Sequence, residues 1–247
     1  MSDVLVIVPT FNEIESLPVL IARLRRAVPT ADVLVVDDAS PDGTGDLADS
    51  LAAADPAVTV LHRAEKDGLG RAYLAGFALA RERGYDYVVE IDADGSHDPA
   101  ELVPMLALAR GGADLVIGSR WVPGGAVVNW PRLRQAISRG GNAYARLALR
   151  SRIRDITAGF RVFRASALRD AHAGSVSSQG YCFQVEMAWR TERAGLVVVE
   201  HPITFVERAS GRSKMGRAIV VEALLRVTGW GIGERMRRRR PSRTTKG

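Results

Sequence analysis

Two stretches of this sequence place clustered carboxylates directly after apolar runs, and the sharper is Val88-Val89-Glu90-Ile91-Asp92-Ala93-Asp94-Gly95-Ser96-His97-Asp98-Pro99. Tyr87, Val88, Val89 and Ile91 read as a short buried strand that delivers Asp92 and Asp94 at its carboxyl end. Carboxylates this close repel one another and are costly to desolvate unless a cation joins them. An oxygen-seeking divalent ion, Mg²⁺ or Mn²⁺, is the natural partner. The plainer alternative is a solvated acidic turn, with Asp98 capping the helix that Pro99 begins.

A carboxylate pair does chemistry only if the fold brings other polar groups to it. Residues 3 to 8 read as a first strand that ends in Pro9-Thr10-Phe11-Asn12-Glu13, followed by Ile14, Leu17, Leu20, Ile21 and Leu24 at helical spacing. Residues 33 to 36 repeat the pattern, ending in Asp37-Asp38, a turn-rich segment to Thr44 and a helix to about Ala54. A third strand over 58 to 61 leads through Lys66-Asp67-Gly68-Leu69-Gly70 into a helix ending at Gly84, and a fifth over 115 to 118 precedes Ser119-Arg120. This alternation predicts an α/β fold, a mostly parallel sheet with helices on both faces. Its carboxyl edge, where such sheets bind ligands, would gather Glu13, Asp37, Asp38, Asp92, Asp94 and Arg120.

Beyond Trp121 the alternation loosens. A loop with Pro123-Gly124-Gly125 and Asn129-Trp130-Pro131 precedes a basic helix from about Arg132 to Arg150, and the segment from Asp155 turns into a strand near Arg161. Residues 180 to 193 read as a helix with Gln184 and Glu186 near its start, strand material follows at 197 to 199 and 203 to 206, and Glu207 to Met215 form a cationic loop. Residues 215 to 236 mix Ile219, Leu224, Leu225, Trp230, Ile232 and Met236 with Arg217, Arg226 and Arg235. That pattern fits a helix lying at a bilayer interface and equally a terminal helix packed on the core.

Composition removes several classes. The chain has 247 residues, one cysteine (Cys182) and four scattered histidines, which excludes a disulfide framework and a Cys-based zinc site and points to a reducing compartment. No basic-then-apolar leader opens it and no run of about twenty apolar residues predicts a membrane span. The formal charge is +6, but residues 235 to 247 hold seven Arg or Lys and no acid, so the body is nearly neutral. A basic tail without interleaved aromatics argues against nucleic-acid binding. Gly43-Thr44-Gly45-Asp46-Leu47-Ala48 matches a loose dinucleotide fingerprint, yet it follows the second strand rather than the first, and Asp37, Asp38 and Asp42 would repel a pyrophosphate there. No P-loop is present.

In order, Pro9-Thr-Phe-Asn-Glu13, Asp37-Asp-Ala-Ser-Pro-Asp-Gly-Thr44, Gly68-Leu-Gly-Arg-Ala-Tyr73, Asp92-Ala-Asp-Gly-Ser-His-Asp-Pro99, Gly118-Ser-Arg120, Asn129-Trp-Pro131, Ser138-Arg-Gly140, Asp155-Ile-Thr-Ala-Gly-Phe-Arg161, Gly180-Tyr-Cys-Phe-Gln184 and Glu207-Arg-Ala-Ser-Gly-Arg-Ser-Lys214 together resemble the family 2 glycosyltransferases of GT-A (Rossmann-like) fold. The nearer resemblance is to the dolichol- or polyprenol-phosphate mannose synthases. It spans residues 3 to about 216, which implies a catalytic domain over 1–216, a membrane-associated helix over 217–236 and a basic disordered tail over 237–247.

The resemblance implies an inverting transfer of mannose from GDP-mannose to a polyprenyl (dolichyl) phosphate, with Mg²⁺ or Mn²⁺ as cofactor. It puts Pro9, Phe11, Glu13, Val36 and Asp38 around the nucleoside. Asp92, Ala93 and Asp94 would hold the diphosphate through the metal, with Ser96 a further ligand, and Arg120, Arg208 and Lys214 would neutralise phosphates. Asp92, Asp94 and Arg120 are thus the catalytic candidates. Arg139, Arg161 and the segment from Asp155 to Arg161 are candidates for the acceptor phosphate. Phe11 stands where relatives have Tyr and Ser96 where some have Gln. A polyprenyl acceptor implies a peripheral protein at the cytoplasmic face of a membrane, where a separate membrane subunit could dock. A related transferase using UDP-glucose stays open, since no residue type here proves guanine over uracil.

Overall fold

The computed structural model describes residues 2–176, 178, 180–207 and 217–239. The first strands, β1 (Val4–Thr10), β2 (Asp32–Asp37), β3 (Val58–His62) and β4 (Tyr87–Glu90), are short runs rich in β-branched residues, and most of their side chains are buried. Between them lie α1 (Leu17–Ala27), α2 (Thr44–Ala54) and α3 (Leu69–Arg83). Helix α1 starts later than its apolar spacing predicts. Pro18 favours the first turn of a helix, so Ile14 falls in the preceding turn and is exposed.

The chain continues through a short 3₁₀ turn (Pro99–Glu101), α4 (Leu102–Arg110), β5 (Leu115–Ser119), β6 (Ala126–Val128), α5 (Arg132–Leu149), β7 (Arg161–Arg164), α6 (Ala165–Asp170), α7 (Gly180–Arg193), β8 (Val198–Pro202), β9 (Thr204–Val206) and α8 (Arg217–Arg239). Asp98 does cap its turn, accepting from the Ala100 amide at 2.9 Å.

Seven strands form one sheet in the order β3-β2-β1-β4-β7-β5-β8. All neighbours are parallel except β7, which runs antiparallel between β4 and β5. The mostly parallel α/β architecture expected from the sequence is therefore present, with this one reversed strand in its middle. Two apolar layers flank the sheet. One holds Val6, Val8, Leu20, Leu24 and Met105, the other Leu5, Ile7, Tyr73, Phe77, Phe163 and Phe183. A small parallel pair, β6 with β9, stands apart from the main sheet.

Helix α8 packs against α5 and α7. Trp230 stacks on Trp189 at 5.8 Å, Val227 is buried, and Arg193 pairs with Glu234. A Cβ on Gly231 would lie 2.5 Å from the Ala148 carbonyl oxygen, so only glycine lets the two helices approach this closely. Its other face leaves Leu225, Ile232 and Met236 exposed. The packed-helix reading of this segment thus describes the face that meets α5 and α7. Among the described residues no helix is long and apolar enough to cross a membrane.

Candidate active site

The parallel register sets Pro9 beside Val36 and Thr10 beside Asp37, so β1 and β2 deliver their polar ends together at the carboxyl edge of the sheet. Asp37 is almost fully buried and builds this corner. Its carboxylate accepts from the Thr10 hydroxyl (2.9 Å), the Ser40 hydroxyl (2.6 Å) and the Ser40 amide (3.0 Å). Asp42 holds the next turn, accepting from the Thr44 hydroxyl (2.6 Å) and amide (3.0 Å). The Glu13 carboxylate accepts from the Ser16 hydroxyl at 2.8 Å.

Asp38 pairs with Arg63 at 2.6 Å. Burial raises its pKa despite that partner. The Lys66 ammonium lies 3.6 Å from the Phe11 ring centre, a cation–π contact. Phe11 is half-buried, as are Pro9 and Glu13, whereas the Val36 side chain is in the core. Arg63 and Lys66 were not singled out by the sequence, because a basic residue in a loop carries no signal of the ring or carboxylate it will meet.

Asp92 and Asp94 follow β4 on the same edge, partly exposed, with Ala93 between them turned into the core. Gly95 turns the loop with φ of +75°, and Asp94 accepts from both the Ser96 hydroxyl (2.6 Å) and the Ser96 amide (3.1 Å). Ser96 therefore orients Asp94. Gly159 lies against Asp92, where a Cβ would come within 3.4 Å of Oδ2. Among the described residues no three His, Cys, Asp or Glu converge to enclose an ion. Two carboxylate groups alone underfill the six-oxygen shell of Mg²⁺ or Mn²⁺, so the donor set fits an ion that shares its shell with water and a ligand's phosphate oxygens.

Arg120, buried at the end of β5, is clamped by Asp155. Its Nε donates to Oδ2 at 2.8 Å, Nη2 to Oδ1 at 2.7 Å, and its amide to Oδ2 at 2.9 Å. Asn142 on α5 donates to Asp155 and Thr157, and Thr157 also receives Arg120 Nη2 at 3.1 Å. Aromatic rings surround the guanidinium: Trp130 and Phe205 at 5.5 Å and Trp121 at 5.9 Å. His97 closes the cluster between Phe160 and Phe205, and burial pushes its pKa down to about 4, leaving a neutral ring at neutral pH. The two tryptophans, Phe205 and Asn142 have no sequence signature as partners of Arg120, since four separate segments supply them.

The two acceptor-side arginines separate. Arg139 is exposed, 4.6 Å from the Trp121 ring. Arg161 is fully buried in β7, donating to the carbonyls of Ala158 (2.8 Å), Gln184 (2.8 Å) and Ile156 (2.9 Å), 4.0 Å from Glu90. It cannot reach an acceptor phosphate, which corrects the expectation for this residue: it braces the strand and turn behind the site. Glu90, equally buried, is pushed up to about 7 by desolvation. Arg208 and Lys214 lie outside the described residues.

The Glycosyl transferase family 2 model matches residues 5–171. The chain belongs to this family. It is 59% identical over 232 residues to the undecaprenyl-phosphate mannosyltransferase of Micrococcus luteus, covering 94% of this chain and 95% of the relative. It is 52% identical over 237 residues to the polyprenol monophosphomannose synthase of Mycolicibacterium smegmatis, covering 96% and 89%. Among solved structures, glucosyl-3-phosphoglycerate synthase of Mycobacterium tuberculosis in complex with Mn²⁺, UDP-glucose and phosphoglyceric acid superposes with a TM-score of 0.67 at 22% identity, over 92% of this chain and 79% of that one. A mannosyltransferase from Pyrobaculum calidifontis in complex with GDP-mannose and Mn²⁺ gives 0.60 at 19% identity, over 95% and 64%. At such identities the likeness is one of fold: this family 2 chain shares its architecture with transferases whose structures hold a nucleotide sugar and Mn²⁺.

Proposed function

We propose that this chain transfers mannose from GDP-mannose to a polyprenyl phosphate with inversion, releasing GDP. The observation that carries the reading is near-full-length similarity to two polyprenyl-phosphate mannosyltransferases, with Asp92 and Asp94 after β4 and Arg120 after β5 as the site residues it assigns. Pro9, Phe11, Glu13, the Val36 backbone and Asp38 form the nucleoside end of the donor site. Asp92 and Asp94, with Ala93 between them, face the diphosphate and would hold Mg²⁺ or Mn²⁺. When bound, the ion supplies charge that stabilises the departing diphosphate. Arg208 and Lys214 would add cations to that leaving group.

An acceptor phosphate oxygen forms the new bond to the anomeric carbon as the bond to the β-phosphate breaks, and the electron pair leaves with GDP. The acceptor phosphate is already ionised at neutral pH, so the chain needs no strong general base. Asp155 fixes the plane of Arg120 before substrate arrives, so its charge is oriented in advance. Arg139, exposed on α5, is the arginine placed to meet the acceptor phosphate.

A polyprenyl acceptor lies in a bilayer, and we infer that the chain works as a peripheral protein at its cytoplasmic face. Leu133, Ile137 and Leu147 on α5 and Leu225, Ile232 and Met236 on α8 are exposed apolar side chains on two packed helices, suited to that surface or to a separate membrane subunit.

The test is transfer of radiolabelled sugar from GDP-mannose, and in parallel from UDP-glucose, to a short polyprenyl phosphate with Mn²⁺, Mg²⁺ or EDTA. Metal-dependent mannolipid absent from Asp94→Ala is the expected result. Lipid-linked glucose instead would transfer the assignment to the other donor, and no lipid product from either would remove the acceptor.

A further inference from the structure

Strand β9 is short, yet the segment around it ties three parts of the site together through backbone hydrogen bonds. The Ile203 amide donates to the carbonyl of Ser119, the residue before Arg120, at 3.0 Å. The Val206 amide donates to the Ser96 carbonyl, in the loop that carries Asp92 and Asp94, at 3.1 Å, and the Glu207 amide to the Val128 carbonyl, just ahead of Trp130, at 3.1 Å. Phe205 lies in the middle of this segment. Its ring is half-buried and takes no part in either apolar layer of the main sheet. It meets instead one side chain from each of the same three parts: the Arg120 guanidinium 5.5 Å from its centre, and the rings of His97 at 5.2 Å and Trp130 at 5.3 Å, both edge to face.

Asp155 and Thr157 hold Arg120 through Nε and Nη2, along one edge of the guanidinium. Bonds along one edge act as a hinge, and an aromatic ring beside the group resists tilting about it while attracting the charge. The three neighbouring rings are not equivalent in this respect. Arg134 lies over Trp130 at 4.1 Å and Arg139 over Trp121 at 4.6 Å, each nearer to its ring than Arg120 is, at 5.5 and 5.9 Å. Phe205 faces Arg120 on one side and, through His97, the carboxylate loop on the other.

We propose that Phe205 is a positioning residue for the transfer reaction: its ring sets the tilt of Arg120 and, through His97, the spacing between that guanidinium and the Asp92–Asp94 loop. The role rests on the reading that Arg120 and these carboxylates act on the donor diphosphate. A charge that must meet a departing phosphate stabilises it best when its place is fixed beforehand. The ring itself takes no part in bond making or breaking; it acts through Arg120.

The experiment compares wild type with Phe205→Leu and Phe205→Met, which keep apolar bulk without an aromatic face, and with Phe205→Tyr, which keeps the face. Two quantities are read: hydrogen exchange at the Arg120 Nε–H, followed by nitrogen NMR and identified by its loss in Arg120→Lys, and kcat and KM for mannose transfer to a short polyprenyl phosphate. The Leu and Met variants are expected to exchange about tenfold faster at Arg120 and to lose about tenfold or more in kcat, with KM for GDP-mannose within about threefold of wild type. Tyr is expected to bring exchange and kcat back to within about threefold of wild type. Wild-type exchange at Arg120 in the Leu and Met variants overturns the proposal whatever happens to kcat, since the ring would then not act through that residue. Equal losses in the Tyr variant overturn it too, because bulk rather than the aromatic face would be what matters. If exchange at the buried amides of β1 rises by the same factor, the loss is one of global stability and the local role falls. If wild type forms no mannolipid, the transfer reading falls, while exchange at Arg120 still decides whether Phe205 fixes its place.

Discussion

Asp155 meets Arg120 edge-on, with both carboxylate oxygens engaged at 2.7 and 2.8 Å and neither residue more than marginally exposed. Breaking such a buried pair from one side leaves an uncompensated charge. Asp155→Ala is expected to lose about 3–5 kcal/mol of stability in urea denaturation. The double variant Arg120→Met/Asp155→Leu should recover part of that loss while transfer stays abolished, which separates the stabilising role of the pair from its catalytic one.

Asp92→Asn and Asp94→Asn each remove one charge from the proposed ion site without changing side-chain volume. Sugar transfer is expected to fall by about a hundredfold or more. Calorimetric titration with Mn²⁺ in the presence of GDP should lose its signal in both variants, with thermal melts close to wild type.

Stability against pH reads two buried groups that oppose each other. His97 has its folded pKa lowered to about 4, so below its ordinary 6.5 the unfolded chain takes up the proton first, and stability falls as pH drops from 6.5 toward 4. Glu90 has its folded pKa raised to about 7, so above 4.5 the unfolded chain releases the proton first, and stability falls as pH rises from 4.5 to 7. In metal-free buffer the two slopes largely cancel between pH 4.5 and 6.5. Glu90→Gln should unmask a loss on acidification, and His97→Phe a loss on alkalinisation, in denaturation series across that window.

Gly231→Ala puts a methyl group where the Ala148 carbonyl oxygen sits, and neither backbone can yield without moving a helix. The variant is expected to lose about 1–3 kcal/mol. Limited proteolysis should cut α8 faster in the variant than in wild type.

The sequence made the donor half of the site legible because its carboxylates follow runs of β-branched residues, and a strand end is a place a reader can count to. Asp92 and Asp94 stand where that counting puts them. Arg161 shows where the method stops. A cation held by the carbonyls of residues 156, 158 and 184 and standing 4.0 Å from Glu90 draws on partners scattered through the sequence, so it reads like a surface arginine. The antiparallel direction of β7 was equally silent, since the polar-apolar-apolar-polar run Arg161-Val162-Phe163-Arg164 reads the same in either direction.

The reversed strand also orders events during synthesis. β4 has β1 on one side, but its other edge stays open until residues 161–164 emerge, and β5 has no neighbour in the sheet until then. A nascent chain stopped near residue 150 therefore carries an exposed pairing edge directly beneath the Asp92 loop, a template for wrong partners. Insertion of this one four-residue strand closes the open edge of β4 beneath the Asp92 loop and joins β5 to the sheet, to which β8 is then added.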